Sequence, residues 1–271
     1  MLAKKQIGFI GAGNMATALI RGMLAARLAA PEQISVFDTD AAKVETLVSA
    51  HGVARRSSNP DLVEQSDLVV LAVKPQNVSE VLAEIAPAVR DDQCFISIAA
   101  GVPLSRLETA LGPRARVIRV MPNTPALVGA GAAGIARGRN ATDNDLALVR
   151  AIFEAVGVAV IVDEKHLDAV TAISGSGPAY VFYFVEALLH AAGRVGLKSE
   201  VAQALVRQTV LGAARMVNEL DQTPAQLREA VTSPGGTTAA ALAVLREGGF
   251  ADVIVRAAEA ATARSIELGK S

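Results

Sequence analysis

The chain has 271 residues, 51% of them apolar, which is enough for one large core or two ordinary ones. Its 26 basic residues nearly balance 27 acidic ones, and no segment gathers Lys and Arg into a stripe that could neutralise a run of phosphates, so no nucleic-acid partner is expected. The Ala-rich segments carry Arg or Glu every few residues, so no membrane span is expected, and no His, Cys, Asp or Glu cluster has metal-ligand spacing.

At the N-terminus, Lys4 and Lys5 precede apolar residues in the manner of a secretory signal, but Asn14 and Arg21 interrupt the run and no cleavage-like site follows. A cytoplasmic protein is expected. Short β-branched runs then alternate with amphipathic stretches, and the spacing predicts strands at 6–10, 34–37, 68–72, 94–98 and 116–121. That alternation implies a parallel sheet with helices on both faces. Cys94, the single cysteine, falls inside the fourth of these runs and reads as plain core. Beyond Pro125, residues 131–136 and 159–162 are expected as further strands around a helix at 143–155, whose start Thr142 and Asp145 frame.

From about residue 163 the pattern changes to helices centred on 180–193 and 199–218, a short one from Pro224, then 237–246 and 250–268. Thr223, Pro224 and Gln226 form a capping-box start. The expected fold class is therefore α/β: an N-terminal Rossmann-type doubly wound sheet, residues 1–162, then an all-α dimerisation domain, residues 163–271. The Ala-rich helices bury little area each, so they gain by packing a face against a second copy of the chain, and a homodimer at least is expected.

The segment Gly8-Phe9-Ile10-Gly11-Ala12-Gly13-Asn14-Met15-Ala16 leaves a strand and enters a helix with the spacing G-x-G-x-x-A. Gly11 permits the tight turn, Gly13 lets backbone approach a pyrophosphate, and Ala16 allows close packing, with the phosphate at the helix N-terminus. Asp38 ends the second strand, where a carboxylate would accept hydrogen bonds from ribose hydroxyls. Lys74 follows the third predicted strand and Ala99, Ala100 and Gly101 the fourth, at the strand ends where doubly wound sheets bind ligands. Further on, Ser233-Pro234-Gly235-Gly236-Thr237-Thr238 precedes a helix, so its amides and the helix dipole can hold a carboxylate.

Three later segments, Met121-Pro122-Asn123-Thr124-Pro125, Ser174-Gly175-Ser176-Gly177-Pro178-Ala179-Tyr180 and the Ser233 loop, follow the Gly-rich turn and Ala72-Val73-Lys74-Pro75 in fixed order. In that order they resemble pyrroline-5-carboxylate reductase, over roughly residues 6 to 268. The resemblance implies reduction of the small molecule 1-pyrroline-5-carboxylate to proline with NADPH or NADH. It implies that Ile10, Gly11, Ala12, Gly13, Asn14, Met15, Asp38, Asn59, Ala72, Val73, Lys74 and Pro75 line the dinucleotide site, with Ala99, Ala100, Gly101, Asn123 and Thr124 near the nicotinamide. It also implies that Glu164, Ser233, Gly235, Gly236, Thr237 and Thr238 form the imine site, with the loop supplied by the partner chain of an interlocked dimer that commonly assembles into a decamer. Position 230, Asn in some relatives, is Ala230 here, so that contact is not carried over.

Two other readings compete with this one. A β-hydroxyacid dehydrogenase shares the opening turn but would need a lysine in the helix after the Ser174 segment, and none occurs between Lys165 and Lys198. A nucleotide sensor without turnover would be expected to have a degraded Ser233 loop. For Thr238 two roles stand open: a hydroxyl aimed at the substrate nitrogen, or a cap on the helix that follows.

Overall fold

The computed structural model describes Leu2 and residues 4–270, so the outermost positions of the two expected domains, 1 and 271, lie outside the described residues. The eight strands are β1 (Ile7–Ile10), β2 (Ile34–Phe37), β3 (Ala54–Arg55), β4 (Leu68–Leu71), β5 (Cys94–Ser97), β6 (Arg116–Met121), β7 (Gly131–Arg137) and β8 (Gly157–Ile161). They form one sheet in the order β3-β2-β1-β4-β5-β6-β7-β8. Between them lie α1 (Asn14–Ala25), α2 (Ala41–His51), α3 (Asn59–Glu64), α4 (Val78–Ile85), α5 (Leu104–Leu111) and α6 (Asp143–Glu154). After β8 come α7 (Leu167–Val170), a π-helical turn (Thr171–Gly175), α8 (Gly177–Arg194), α9 (Ser199–Glu219), α10 (Pro224–Ala230), α11 (Thr237–Glu247) and α12 (Phe250–Lys270).

The five expected strands of the first half exist and pair in parallel, as the α/β alternation requires. Their side chains alternate between two cores. Ile7, Phe9, Leu68, Val70, Cys94, Ile96 and Ile118 pack on one face with α1, α2 and α6, whereas Ile10, Val69, Leu71, Phe95 and Val117 pack on the other with α3, α4 and α5.

The sheet is mixed rather than wholly parallel. β7 runs antiparallel to β6, with Ile118 opposite Arg137 and Met121 opposite Gly134. The link between them, residues 122–130, holds only a 3₁₀ turn (Thr124–Val128) and Gly129 in a left-handed conformation, and a parallel crossover needs a dozen or more residues. β8 then returns parallel to β7 through α6, and spans Gly157–Ile161 rather than the expected 159–162. The two-residue β3, parallel to β2, carries too little pattern to be read from sequence. Both expected capping boxes are present, at Thr142 with Asp145 and at Thr223 with Gln226.

Chain contacts gather residues 1–176 and 260–271 into one compact unit and residues 177–259 into another. Past residue 162 the chain keeps packing on the sheet: Leu167 is fully buried in the second core, and Leu167 and Val170 fill the space over Gly134. The second unit, entirely helical, exposes large apolar side chains including Phe182 at 61% and Tyr183 at 74%. Among the described residues, no helix is long and apolar enough to cross a membrane.

Cys94 is buried, and burial pushes its thiol up to about 12, with the charge of Asp145 adding and that of Arg116 opposing. At pH 8.5 the native thiol should therefore resist iodoacetamide and react only at the rate of unfolding, whereas labelling at the rate of a free cysteine would contradict the burial. The folded thiol stays protonated while an unfolded one ionises near 9.0. Its contribution to stability is thus intact below pH 9 and lost as pH rises toward 12.

Candidate active site

The turn leaving β1 is built by close backbone contact. Gly11 has φ +104, and a Cβ there would come within 2.5 Å of the Ala72 carbonyl at the end of β4. The Gly11 amide donates to the Phe37 carbonyl (2.8 Å) and the Ala72 amide to the Ile10 carbonyl (2.8 Å), so the ends of β1, β2 and β4 are laced together. Gly13 occupies the N-cap of α1 with no side-chain acceptor, and a Cβ at Gly13 would meet nothing within 4 Å. The first-turn amides of α1 thus face open space, the arrangement that receives a phosphate.

Asp38 fixes this turn from the side. Its Oδ2 accepts the Ala12 amide at 2.7 Å and its Oδ1 the Asp40 amide at 2.8 Å. Each oxygen keeps a lone pair free for a hydroxyl donor. Asp40 in turn caps α2, accepting from the Ala42 and Lys43 amides, and pairs with the Lys43 ammonium at 3.1 Å. The Lys43 side chain holds the Asp40 carboxyl below its usual range, and Asp40 holds Lys43 above its own.

One cleft of about 440 Å³ collects Ile10, Gly11, Gly13, Asp38, Asn59, Ala72, Val73 and Lys74 of the expected residues. Asn59, buried at the start of α3, donates from Nδ2 to Glu84 Oε2 at 2.6 Å, and its Oδ1 is buried without a partner. Ala12 is buried with its amide committed to Asp38, Met15 packs partly against the core, and Asn14 and Pro75 are exposed; none of the four lines this cleft. Sequence reasoning missed Asp40, Lys43 and Glu84, which do line it. The Asp-x-x-Lys spacing at the start of α2 was the only local signal for the first two.

Of the residues expected near the nicotinamide, Gly101 and Asn123 are held by other contacts. Gly101 adopts φ +77, and a Cβ there would press on Leu268, so the last turn of α12 packs over this loop. Asn123 donates from Nδ2 to the Ser174 carbonyl (3.1 Å) and hydroxyl (3.3 Å), and its Oδ1 accepts the Ala132 amide (2.8 Å). Asn123 thereby ties the end of β6 to the π-helical turn that the Ser174 segment forms, where the Ser176 amide reaches back to the Thr171 carbonyl. Glu164 lies in the same unit, with its carboxylate on Arg119 and on the Leu104 amide.

The loop 233–238 belongs to the helical unit. Gly235 has φ +69, the Gly236 amide donates to the Ser233 carbonyl (3.0 Å), and a Cβ at Gly236 would meet the Ser233 hydroxyl at 2.4 Å. Gly236 is the N-cap of α11 and no side chain caps it, so Thr237 and Thr238 are the first two helical residues and Thr238 is not the cap. The first-turn amides of α11 therefore have no side-chain cap.

A family model described as pyrroline-5-carboxylate reductase dimerisation matches residues 164–268, and one described as NADP oxidoreductase coenzyme F420-dependent matches residues 6–101. The pyrroline-5-carboxylate reductase of Methanosarcina acetivorans is 44% identical over 99% of this chain and 100% of its own. Among solved structures, a pyrroline-5-carboxylate reductase from Coxiella burnetii is 39% identical with a TM-score of 0.92, covering 98% of this chain and 99% of that one. The pyrroline carboxylate reductase of Plasmodium falciparum, solved with NADP bound, is 35% identical with a TM-score of 0.87 over 98% of both chains.

Since Asp38 holds the turn into α1 as well as lining the cleft, Asp38→Ser should weaken binding of both reduced cofactors. Loss of charge-assisted hydrogen bonds, at about 1.5–3 kcal/mol each, predicts roughly a ten- to hundredfold rise in Kd for NADH. The rise should be smaller for NADPH, whose 2′-phosphate is relieved of a nearby carboxylate. Fluorescence titration reads both constants, and an NADH Kd equal to that of the wild type would show that the Asp38 contacts contribute nothing.

Proposed function

Because the chain belongs to the pyrroline-5-carboxylate reductase family, we propose that it reduces the C=N bond of 1-pyrroline-5-carboxylate to L-proline, the last step of proline biosynthesis, with NADPH or NADH. The observation that supports the cofactor half most directly is the cleft at the strand ends, where Gly11, Gly13 and the Asp38 carboxylate meet. In this reading the first-turn amides of α1 hold the pyrophosphate, Asp38 takes ribose hydroxyls, Asn59 lines the same cleft, and Lys74 lies at the phosphate edge. Ala99, Ala100, Gly101, Asn123 and Thr124 border the nicotinamide. When bound, the dinucleotide supplies the hydride.

The imine carries its own positive charge once its nitrogen is protonated, so the protein's main task is alignment. Holding two reactants in line can lower a barrier by on the order of 7 kcal/mol. The uncapped first-turn amides of α11, at Thr237 and Thr238, suit the substrate carboxylate, and the Thr238 hydroxyl suits the ring nitrogen, since a hydroxyl can donate to the product amine and a carboxylate cannot. A ketone substrate would need a proton donor for the developing alkoxide, and α8 offers no lysine for that task.

The second unit, with its exposed aromatic and aliphatic side chains, suits burial against another copy of the chain. We take the functional form to be a homodimer in which each imine site borrows the partner's 233–238 loop, with further assembly to a decamer, in the cytoplasm.

Consumption of reduced cofactor on adding 1-pyrroline-5-carboxylate, with a 3-hydroxy acid's keto product as control, tests the activity, and turnover of the keto acid alone would overturn it. In the same assay Thr238→Ala should lose about ten- to hundredfold in kcat/KM, the value of one transition-state hydrogen bond of roughly 1–3 kcal/mol, at nearly unchanged Tm. Thr237→Ala is the neighbour control. A destabilised Thr238→Ala enzyme with near-normal turnover would sink the assignment.

A further inference from the structure

Glu164 falls to the imine site by resemblance, yet its carboxylate is engaged elsewhere. Glu164 Oε1 accepts the Leu104 amide at 2.6 Å and Arg119 Nη1 at 3.1 Å. Arg119 stands on β6 with its side chain only 8% exposed, against 35% for Glu164. A guanidinium buried this deeply is costly unless paired, so the ion pair constrains both side chains. Leu104 is the first residue of α5, whose N-cap, Pro103, offers no side-chain acceptor. Its amide is therefore an orphan of the helix start, and a carboxylate there gains from the charge-assisted bond and from the helix dipole.

One oxygen thus joins three stretches distant in sequence: the start of α5, the middle of β6 and the 3₁₀ turn Glu164–His166. The loop ending at Leu104 begins where β5 stops at Ser97 and contains Ala99, Ala100 and Gly101; β6 runs on to Met121 and so to Asn123. Both segments that border the nicotinamide in the proposed reading are anchored through the same carboxylate. Glu45, by contrast, accepts from Ser49 and Arg55 only on the exposed surface.

We propose that Glu164 and Arg119 are positioning residues for the nicotinamide end of the site, acting by holding the 98–103 loop and β6 in register, and that Glu164 does not touch the imine. This inference rests on the reading that the loop borders the bound dinucleotide. It predicts an effect on cofactor binding before any substrate is present, which a substrate contact would not have.

The test measures NADPH Kd by fluorescence in the absence of imine, KM for the imine at saturating NADPH, and Tm, on the full-length protein. Glu164→Ala should raise the NADPH Kd about tenfold, the equivalent of roughly 1.4 kcal/mol from one lost charge-assisted bond, with imine KM within about twofold of the wild type. Glu164→Gln, whose amide oxygen can still accept from Leu104, should fall between. Arg119→Met should match Glu164→Ala, and the double variant should be no worse than either single one, as expected for a coupled pair. Should Arg119→Met fail to fold, the two Glu164 variants carry the test alone. A raised imine KM with unchanged NADPH Kd in Glu164→Ala would place Glu164 on the substrate and overturn the inference. A wild-type protein that bound no NADPH would overturn the underlying cofactor reading together with it, whereas variants binding NADPH as tightly as the wild type would overturn the inference alone.

Discussion

The bond from the Ala12 amide to Asp38 Oδ2, 2.7 Å long and spanning 26 positions of sequence, is the contact on which the first unit's cleft depends. Gly11 brings the backbone against Ala72, but only the side-chain acceptor just past β2, Asp38, fixes where the turn points next. With Ala12 held, Gly13 falls at the N-cap of α1 and the helix presents its free amides at the strand ends. The strand framework beneath owes its position to burial on both faces, which is non-directional; the turn owes its orientation to a directional bond.

The same division recurs along the sheet edge. Glu164 holds the start of α5, Asn123 holds both β7 and the π-helical turn, and Asp40 caps α2. In each case a polar side chain satisfies backbone groups that a helix end or a strand end leaves unpaired. Apolar packing sets which layers lie together, and these few polar contacts set the loops to within a hydrogen bond's tolerance. Loops so held need not be reordered each time a ligand arrives, which lowers the entropic cost of binding.

The helical unit works differently. Its helices are rich in alanine and leave aromatic and branched side chains in solvent, so little of its apolar surface is satisfied within one chain. At its one elaborate loop, Gly236 leaves room for the Ser233 hydroxyl and α11 starts without a side-chain cap. A cap would spend the amides that an anion could use.

Much of this was written locally in the sequence. The five parallel strands, every long helix, both capping boxes and the Gly-rich turn depend on periodicity and on residues within four positions of each other, so a single chain displays them. The family was legible for the same reason, in short ordered motifs. Tertiary structure alone decided the rest: the antiparallel β7, because pairing direction follows from the length and course of a connection; the short β3, because two residues carry no period; and the packing of the chain past residue 162 on the sheet, because Leu167 and Val170 find their partners on β7. It also decided what Asp38 and Glu164 grip, since their acceptor oxygens meet amides 26 and 60 positions away. A carboxylate's identity is fixed by sequence, but its hydrogen-bond partner is fixed by which distant backbone the folded chain brings within 3 Å.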